Sequence, residues 1–443
     1  MKILIIGAGI SGCGAADLAL AQNFNVTVID QFSSEKLIRK AALLEQKGAQ
    51  VILNCSIEMA VQLAASAKQI ILSPGIDPNG FYQAVLQTEN VISELEFGAA
   101  FCHCPLYCIT GTNGKTTTVE MSVHIMNHNG RKVIAAGNIG YPLSLAALKS
   151  NTLDAIVVEV SSFQLEKVNA FKADAAVILN ISSDHINRYD SFSHYAETKL
   201  RLLQATDKKA NRLINHSIKM LSLKCAESET FGGHRSELQQ SSATCRYKNQ
   251  TIFSKADLAV KGDHNFENAM AAAWLSLKSG LKPDQIAQSL SSFQSGAHRL
   301  ELIYKSEGIQ IYNDSKSTNP DALCRAIETV RSPNTKNIIL IAGGRDKMMD
   351  FSKSVKLLQN NVKTAILIGE TKTRLKQVWK NSAKCLISTN LKDAVNTAFE
   401  ELSGNETILL SPGCASQDMF RDYKARGEVF RDEILRRINN ENL

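Results

Sequence analysis

Short apolar runs alternate with amphipathic stretches along most of the chain. The runs have the length and the continuous hydrophobicity of strands that are buried on both faces, and the stretches between them have helical periodicity, as in residues 11–21. Strands that alternate with helices predict parallel sheets of the α/β class. The predicted strands cover residues 2–6, 26–30, 69–72, 155–160, 175–180, 337–342, 364–368 and 406–410, with a hairpin at 300–305 and 308–313.

The chain has 443 residues, which is too long for one hydrophobic core and predicts about three domains. We place them at residues 1–95, 96–297 and 298–443. The first and third have the strand–helix alternation of Rossmann-like domains, and the second is predicted to contain a parallel sheet. The polar stretch 224–250 is weakly patterned, and we predict a loop region there.

A glycine-rich turn follows the predicted strand Leu106–Thr110. Glycines allow backbone N–H groups to face phosphate oxygens, Lys115 adds a positive charge, and the Thr116 hydroxyl is a ligand for Mg²⁺. The spacing differs from the common GxxxxGK[ST] because Ile109 stands at the first glycine position. The pattern predicts that the second domain is a P-loop ATPase, although an ordinary turn before a helix remains the alternative. The predicted ATP-binding residues of the turn are Gly111, Thr112, Asn113, Gly114, Lys115, Thr116 and Thr117.

A second glycine-rich turn, residues 7–12, follows the first predicted strand and fits the GxGxxG pattern, with Asp30 at the end of the next strand. Two ligands fit this pattern. One is NAD, whose ribose would bind the acidic residue; the other is a nucleotide sugar, whose diphosphate would lie on the glycine turn.

Polar residues also follow the predicted strands of the second domain. Glu159 ends one strand and is a candidate Mg²⁺ ligand, and the segment 180–188 contains His185, a candidate for a second Mg²⁺ or a phosphate oxygen. A solvated strand end and a structural histidine are the alternatives. Lys199 lies in an amphipathic helical pattern whose spacing predicts a surface lysine.

Composition excludes several classes of protein. The net charge of +7 is modest, and without a basic stripe interleaved with aromatic residues it gives no support to nucleic-acid binding. The ten cysteines are unpaired in spacing and the first residues lack a signal-peptide pattern, so we expect a cytoplasmic protein without disulfides. No apolar run is long enough to span a bilayer. Cys102, His103, Cys104 and Cys108 lack a second ligand pair at zinc-finger spacing.

Several motifs together resemble the Mur ligases of bacterial cell-wall synthesis, over nearly the whole chain. They are residues 110–117, 159–165, 264–268, 298–301 and 313–319. Four more segments are similar to those of the family members that add D-glutamate: residues 73–76, 137–140, 343–347 and 410–420. The resemblance implies three domains that bind a UDP-sugar, ATP and an amino acid in turn. It also implies ATP-dependent ligation of D-glutamate to UDP-N-acetylmuramoyl-L-alanine through an acyl phosphate, and we expect a monomer.

The resemblance also implies roles for individual residues. Lys115, His185 and Lys199 are the implied catalytic residues, and two Mg²⁺ ions are implied, with Thr116 and Glu159 at one and His185 and a carbamylated Lys199 at the other. Asn268, Arg299 and Asp314 would bind ATP. The implied UDP-sugar residues are Ser11, Ser73, Gly75, Asn138 and His185, and the implied D-glutamate residues are Thr318, Lys347, Ser416 and Tyr423.

Two departures and two alternatives accompany the resemblance. Tyr423 stands where the family usually has phenylalanine, and residues 30–32 lack the Thr-Arg pair familiar near the uracil. A folylpolyglutamate synthase also adds glutamate through an acyl phosphate, but it typically has Gly-Lys-Gly where Thr116 follows Lys115 here. A nucleotide-sensing module without turnover is the other alternative, and the complete set of candidate catalytic residues disfavours it.

Overall fold

A computed structural model of the chain describes residues 1–184, 188–206, 208–221, 225, 227–233, 236–241 and 243–441. Three parallel-rich sheets flanked by helices confirm the predicted α/β class. The chain divides into two compact units. The first comprises residues 1–181, 188–259 and 266–293 and contains two sheets, and the second comprises the described residues of 182–187, 260–265 and 294–443 and contains the third sheet. The domain boundaries at 95/96 and 297/298 stay a prediction.

The first sheet is fully parallel, with strand order β3-β2-β1-β4-β5, as in half of a Rossmann fold. Its strands are β1 Lys2–Ile6, β2 Asn25–Ile29, β3 Gln50–Ile52, β4 Gln69–Leu72 and β5 Val91–Ser93, and its helices are α1 Ile10–Ala21, α2 Glu35–Gln46, α3 Ile57–Ser66 and α4 Glu94–Ala99. The predicted strands and helix α1 are confirmed to within one residue.

The second sheet has the order β14-β13-β12-β11-β10-β9-β6-β8-β7 among its described strands. It is parallel from β12 to β7, and β13 and β14 add an antiparallel edge. The strands are β6 Leu106–Thr110, β7 Val133–Gly137, β8 Ala155–Glu159, β9 Ala175–Ile178, β10 Arg212–Asn215, β11 Glu229–Phe231, β12 Leu238–Ser241, β13 Thr244–Tyr247 and β14 Gln250–Ser254. The helices are α5 Lys115–His128, α6 Leu143–Ala147, α7 Ser162–Leu165, α8 Phe192–Gln204, α9 Asp263–Lys278 and α10 Pro283–Leu290.

The prediction of a loop region at 224–250 was wrong, because β11 to β13 lie within it. The strands there are three or four residues long, too short for a clear alternation pattern. The turn between β13 and β14 has two residues, Lys248 and Asn249, with φ values of 49° and 67°. Two successive positive φ values are typical of a type I′ hairpin turn, but Lys-Asn lacks the Asn-Gly signature by which such turns are recognised.

The third sheet has the order β15-β16-β20-β17-β18-β19, parallel except for the hairpin β15–β16. Its strands are β15 Glu301–Lys305, β16 Gln310–Asn313, β17 Ile338–Gly343, β18 Val362–Ile368, β19 Lys384–Ile387 and β20 Thr407–Leu410. Its helices are α11 Pro320–Val330, α12 Val355–Asn361, α13 Lys372–Trp379, α14 Leu391–Glu400 and α15 Tyr423–Glu441.

The central strands β6, β8, β9, β17 and β20 are buried along their whole length, which explains their continuous apolar sequences. Their carboxyl ends carry the loops that contain most of the candidate site residues, as is usual for open parallel sheets. Among the described helices none is both long and apolar enough to cross a membrane. The ten cysteines are free thiols.

Candidate functional site

The predicted phosphate loop connects β6 to α5 and depends on two glycines. Gly111 and Gly114 have backbone φ values of 157° and 83°, which residues other than glycine rarely adopt. A Cβ atom on Gly114 would also lie 2.3 Å from Oδ1 of Asn268 on α9. The fold therefore brings Asn268, 154 positions away in sequence, directly against the loop.

Glu159 joins two other candidate residues at the ends of β8, β7 and α5. Its side chain is 2% exposed. One carboxylate oxygen accepts a hydrogen bond from the Thr116 hydroxyl at 2.6 Å, and the other accepts from Nδ2 of Asn138 at 2.7 Å. Gly137 allows this approach, because a Cβ atom there would lie 2.3 Å from the Glu159 carbonyl oxygen. An oxygen-rich cluster thus lies at the first turn of the helix that follows the phosphate loop.

Two lysine amines converge on one carbonyl of the loop. Nζ of Lys115 donates to the carbonyl oxygens of Gly111 and Thr112 at 2.7 and 2.9 Å. Nζ of Lys199, on α8, donates to the same Gly111 oxygen at 3.1 Å and lies 4.9 Å from the centre of the Tyr195 ring. The helical pattern predicted a surface position for Lys199, and this was wrong: the residue is 2% exposed.

Asn180 holds the loop in place and was not among the predicted binding residues. Its Oδ1 accepts from the Asn113 amide at 2.8 Å, its Nδ2 donates to the Asn113 carbonyl at 3.0 Å, and its own carbonyl accepts from the Thr112 amide at 2.9 Å. The Thr112 hydroxyl also lies 3.1 Å from the Tyr195 hydroxyl. A polar residue just past a central strand was the available signal, but sequence alone does not reveal its partner.

Arg188 connects the first and second sheets of this unit. Its guanidinium donates to both carboxylate oxygens of Glu166 at 2.9 and 2.6 Å and to the carbonyl of Ile76 at 3.0 Å, and it lies 4.1 Å from the centre of the Phe163 ring. The Tyr189 hydroxyl also donates to Glu166, at 2.8 Å. The segment 73–76, which follows β4 and contains two predicted UDP-sugar residues, is therefore tied to the second sheet.

The glycine turn of the first sheet is held by its own chain. Asp30 accepts the Ala8 amide on one oxygen at 2.8 Å and the Phe32 amide on the other at 3.0 Å. The Ser73 hydroxyl donates to the Gly7 carbonyl at 3.1 Å. Asp30 is buried and each of its carboxylate oxygens accepts a backbone hydrogen bond, which gives this residue a structural role in the turn.

Ser11, Ser73 and Gly75 lie around this turn, at the carboxyl ends of β1 and β4. Ser11 is in the first turn of α1, Ser73 is buried immediately after β4, and Gly75 is exposed two residues further on. Their positions agree with the ligand-binding edge of a parallel sheet.

In the second unit, a strained turn places Arg299 near Asp314. His298 and Leu300 have φ values of 68° and 46°, which non-glycine residues adopt only where the surroundings impose them. The Leu300 amide donates to Asp314 at 3.2 Å, and the Ser411 hydroxyl donates to its other oxygen at 3.0 Å. Burial raises the pKa of Asp314 to about 7.

Lys347 lies in a pocket of about 290 Å³ in the second unit, whose lining also includes Asn319, Asp321 and Lys353. Thr318 precedes Asn319, the N-cap of α11, and Ser416 is buried in the loop after β20. Tyr423 begins α15, and Nζ of Lys316 lies 3.9 Å from the centre of its ring. The described lining contains Lys347 but not Thr318, Ser416 or Tyr423.

Most of the residues predicted to bind ATP or Mg²⁺ in the first unit are brought together there. Lys115, Thr116, Asn138, Glu159, Lys199 and Asn268 lie around the phosphate loop, and Thr117 is buried in the first turn of α5. His185 lies outside the described residues. In the described part of the chain there is no group of three or more His, Cys, Asp or Glu side chains placed to hold a metal ion.

The α/β fold and the phosphate loop are those of a nucleotide-binding protein, and comparison of the sequence with known families identifies which family it is. The model of the Mur ligase middle domain matches residues 109–276, and that of the Mur ligase glutamate ligase domain matches residues 298–414. The chain belongs to the Mur ligase family. One relative is UDP-N-acetylmuramoylalanine–D-glutamate ligase from Caldanaerobacter subterraneus subsp. tengcongensis, to which the chain is 34% identical over 98% of each sequence.

Solved structures agree on the fold. MurF from Acinetobacter baumannii matches with a TM-score of 0.65 at 14% identity, over 93% of this chain and 90% of that one. Folylpolyglutamate synthase from Mycobacterium tuberculosis matches with a TM-score of 0.59 at 15% identity, over 75% of this chain and 92% of that one. Because both identities are low, these likenesses show the shared fold and do not distinguish the two activities.

Proposed function

We propose that this protein is an ATP-dependent ligase that adds D-glutamate to UDP-N-acetylmuramoyl-L-alanine in peptidoglycan precursor synthesis. The observation that carries the proposal is the 34% identity to a D-glutamate ligase over 98% of both chains, with the phosphate loop and its acidic and basic partners intact. A folylpolyglutamate synthase has the same fold, but it matches at 15% identity over 75% of this chain.

The reaction forms an amide from a carboxylate and an amine. The terminal carboxylate of the UDP-sugar attacks the γ-phosphorus of ATP, which gives an acyl phosphate and ADP. The amine of D-glutamate then attacks the acyl carbon, and the tetrahedral intermediate loses phosphate and a proton to give the amide. Such chemistry depends on position and on neutralised charge, and it needs no covalent nucleophile on the protein.

The phosphate loop and its partners would hold the triphosphate. The N-terminus of α5 favours phosphate oxygens, and the Lys115 amine would exchange its two carbonyl partners for them. The Thr116 hydroxyl and the Glu159 carboxylate are oxygen ligands of the kind that Mg²⁺ prefers, and they already lie 2.6 Å apart. Mg²⁺ bound there would neutralise charge on the transferred phosphoryl group.

Lys199 fits a second Mg²⁺ site only after modification, because an ammonium is not a metal ligand. Addition of its neutral amine to CO₂, with loss of a proton, gives a carbamate whose oxygens can bind Mg²⁺ together with His185. The buried position beside Lys115 supports this, since carbamylation replaces a buried positive charge by a negative one next to a second lysine.

The remaining site residues divide between the two substrates and the nucleotide. We assign Ser11, Ser73, Gly75, Asn138 and His185 to the UDP-sugar, Asn268, Arg299 and Asp314 to ATP, and Thr318, Lys347, Ser416 and Tyr423 to D-glutamate. The domain boundaries of 1–95, 96–297 and 298–443 follow this division. A cytoplasmic location and a monomeric state are part of the same proposal.

The proposal is tested by ADP production in the presence of Mg²⁺, ATP, UDP-N-acetylmuramoyl-L-alanine and either D- or L-glutamate. We expect turnover that depends on both the UDP-sugar and D-glutamate. L-glutamate is expected to fail, because anchoring both of its carboxylates would move its amine away from the acyl phosphate. Turnover with a reduced folate and L-glutamate, or binding of ATP without turnover under any condition, would contradict the proposal.

A further inference from the structure

Arg426 lies in the first turn of α15, beneath three loops that follow β16, β17 and β20. Its side chain is 1% exposed, so a complete guanidinium is buried in the second unit. The three loops carry Thr318, Lys347 and Ser416, the residues assigned above to D-glutamate. The arginine itself was not among the predicted site residues.

The guanidinium makes hydrogen bonds to two of the loops and packs against the third. It donates to the hydroxyl and the carbonyl of Ser315 at 3.0 and 2.8 Å, and to the carbonyls of Cys414 and Ala415 at 3.1 and 3.4 Å. The Ala415 carbonyl also accepts from the Arg345 amide at 2.9 Å, and a Cβ atom on Gly344 would lie 3.2 Å from Nη1 of Arg426. One side chain therefore contacts all three loops.

Within the described residues Arg426 forms no ion pair, although the carboxylates of Asp418 and Asp314 are near enough to act on its charge and favour the protonated form. In the described residues no carboxylate oxygen lies within 4.0 Å of the guanidinium, and its hydrogen-bond acceptors are three carbonyls and a hydroxyl. Burial lowers the pKa of Arg426 to about 10, which leaves the side chain charged at neutral pH. A buried cation is costly unless an anion approaches it, so this site favours the binding of negative charge nearby.

We propose that Arg426 is a positioning residue for the incoming amino acid, which sets the spacing of the loops that bind it and supplies a buried positive charge that favours a dicarboxylate. The inference rests on the proposed function and deepens it. A role in stability alone would lower the population of folded enzyme and affect all substrates alike. A positioning role predicts a selective effect on D-glutamate.

The test compares Arg426→Lys and Arg426→Met with the same changes at Arg421, an exposed arginine five positions earlier that pairs with Asp422 at 3.2 Å. For both Arg426 variants we expect the KM for D-glutamate to rise about tenfold or more, with the KM values for ATP and the UDP-sugar within about twofold. Lysine keeps the charge but not the planar set of donors, so its effect should be smaller than that of methionine. The Arg421 variants should match the wild type.

Several outcomes of the KM comparison would contradict a positioning role for Arg426. Equal changes in all three KM values, a fall in kcat alone, or equal D-glutamate KM values for lysine and methionine would overturn the inference. If the methionine variant does not fold, the lysine variant measured at matched folded fraction still gives the KM comparison. Failure of the wild type to use D-glutamate would overturn the proposed function instead, and so the two failures are distinguishable.

Discussion

The first unit contains two glycine-rich turns that lead from a strand into a helix, at residues 7–12 and 111–114, and they differ in how their polar groups are used. In the first turn, the Ala8 amide donates to Asp30 and the Gly7 carbonyl accepts from Ser73. Its third glycine, Gly12, is required by packing, because a Cβ atom there would lie 1.8 Å from the Gly7 carbonyl oxygen.

The second turn is likewise held by a residue from a later strand end, Asn180, but in addition two lysine amines converge on it. Those amines add positive charge where a triphosphate would lie, whereas the first turn has no lysine partner among its described hydrogen bonds. Both turns are thus fixed by hydrogen bonds within the chain, but only the second has lysine amines among its described hydrogen-bond partners. Lys115 belongs to the local motif, whereas Lys199 is distant in sequence and no local motif includes it.

Among the substitutions that test this difference between the two turns, Lys115→Ala should have the largest effect on activity. The side chain is expected to neutralise charge on the transferred phosphoryl group, so kcat should fall by about 10²- to 10³-fold while the melting temperature stays close to that of the wild type. The measurement is ADP production with both substrates. Lys47→Ala is the control, because Lys47 is an exposed lysine of the first domain that pairs with Asp17 at 2.6 Å. Near-normal turnover of Lys115→Ala would contradict the assignment of the phosphate loop.

The second effect concerns Lys199. If it is carbamylated, Lys199→Ala should lose about 10²-fold in kcat and regain part of it with a small added carboxylate, and Lys199→Arg should stay inactive since arginine cannot form the carbamate. Mass spectrometry of the active enzyme under CO₂ should find the modified lysine. An unmodified Lys199 in fully active enzyme, with no rescue by carboxylates, would rule the idea out.

Lys199 also marks what sequence could and could not predict. The long apolar strands and the glycine turns follow from hydrophobic periodicity and from the conformational freedom of glycine, and the α/β class was predicted from them. The helical pattern around Lys199 is amphipathic in the ordinary way and predicts a surface lysine. Its burial depends on the phosphate loop, which lies 85 or more positions earlier in the chain.

The same limit explains the other omissions. Asn180 and Arg426 form hydrogen bonds to backbone groups. Every residue has such groups, so the sequence of the partner segments does not indicate these contacts. The resemblance to a family supplied residues such as Asn268, whose place beside Gly114 no local pattern predicts. Short strands such as β11 and β12 were missed because three or four residues do not establish a periodicity.

Alanine substitutions at two glycines of the first turn should show which of them is required by close packing. Gly12→Ala should destabilise the first sheet by about 2–4 kcal/mol, because the clash is with backbone and cannot be relieved by a side-chain movement. Gly9→Ala, with nothing within 4 Å of the new Cβ and a φ of −69°, should stay within about 0.5 kcal/mol. Hydrogen exchange of the β1 amides measures both. Equal effects would show that close packing does not explain the need for glycine at position 12.

The smallest effect is expected for Asp30→Asn, which tests whether the acidic residue of the first turn belongs to the fold or to a dinucleotide. Asp30 accepts one backbone amide on each carboxylate oxygen, at 2.8 and 3.0 Å. Asparagine offers a single oxygen, so its NH₂ group would face an amide donor, and the first sheet should lose about 1–2 kcal/mol. Asp17→Asn, which alters only the exposed pair with Lys47, should change stability by less than about 0.5 kcal/mol. Calorimetric titration of the wild type with NAD should give no binding, since we propose that the first turn binds the UDP-sugar. Tight NAD binding that is lost in Asp30→Asn, together with unchanged stability, would instead assign the first turn to a dinucleotide.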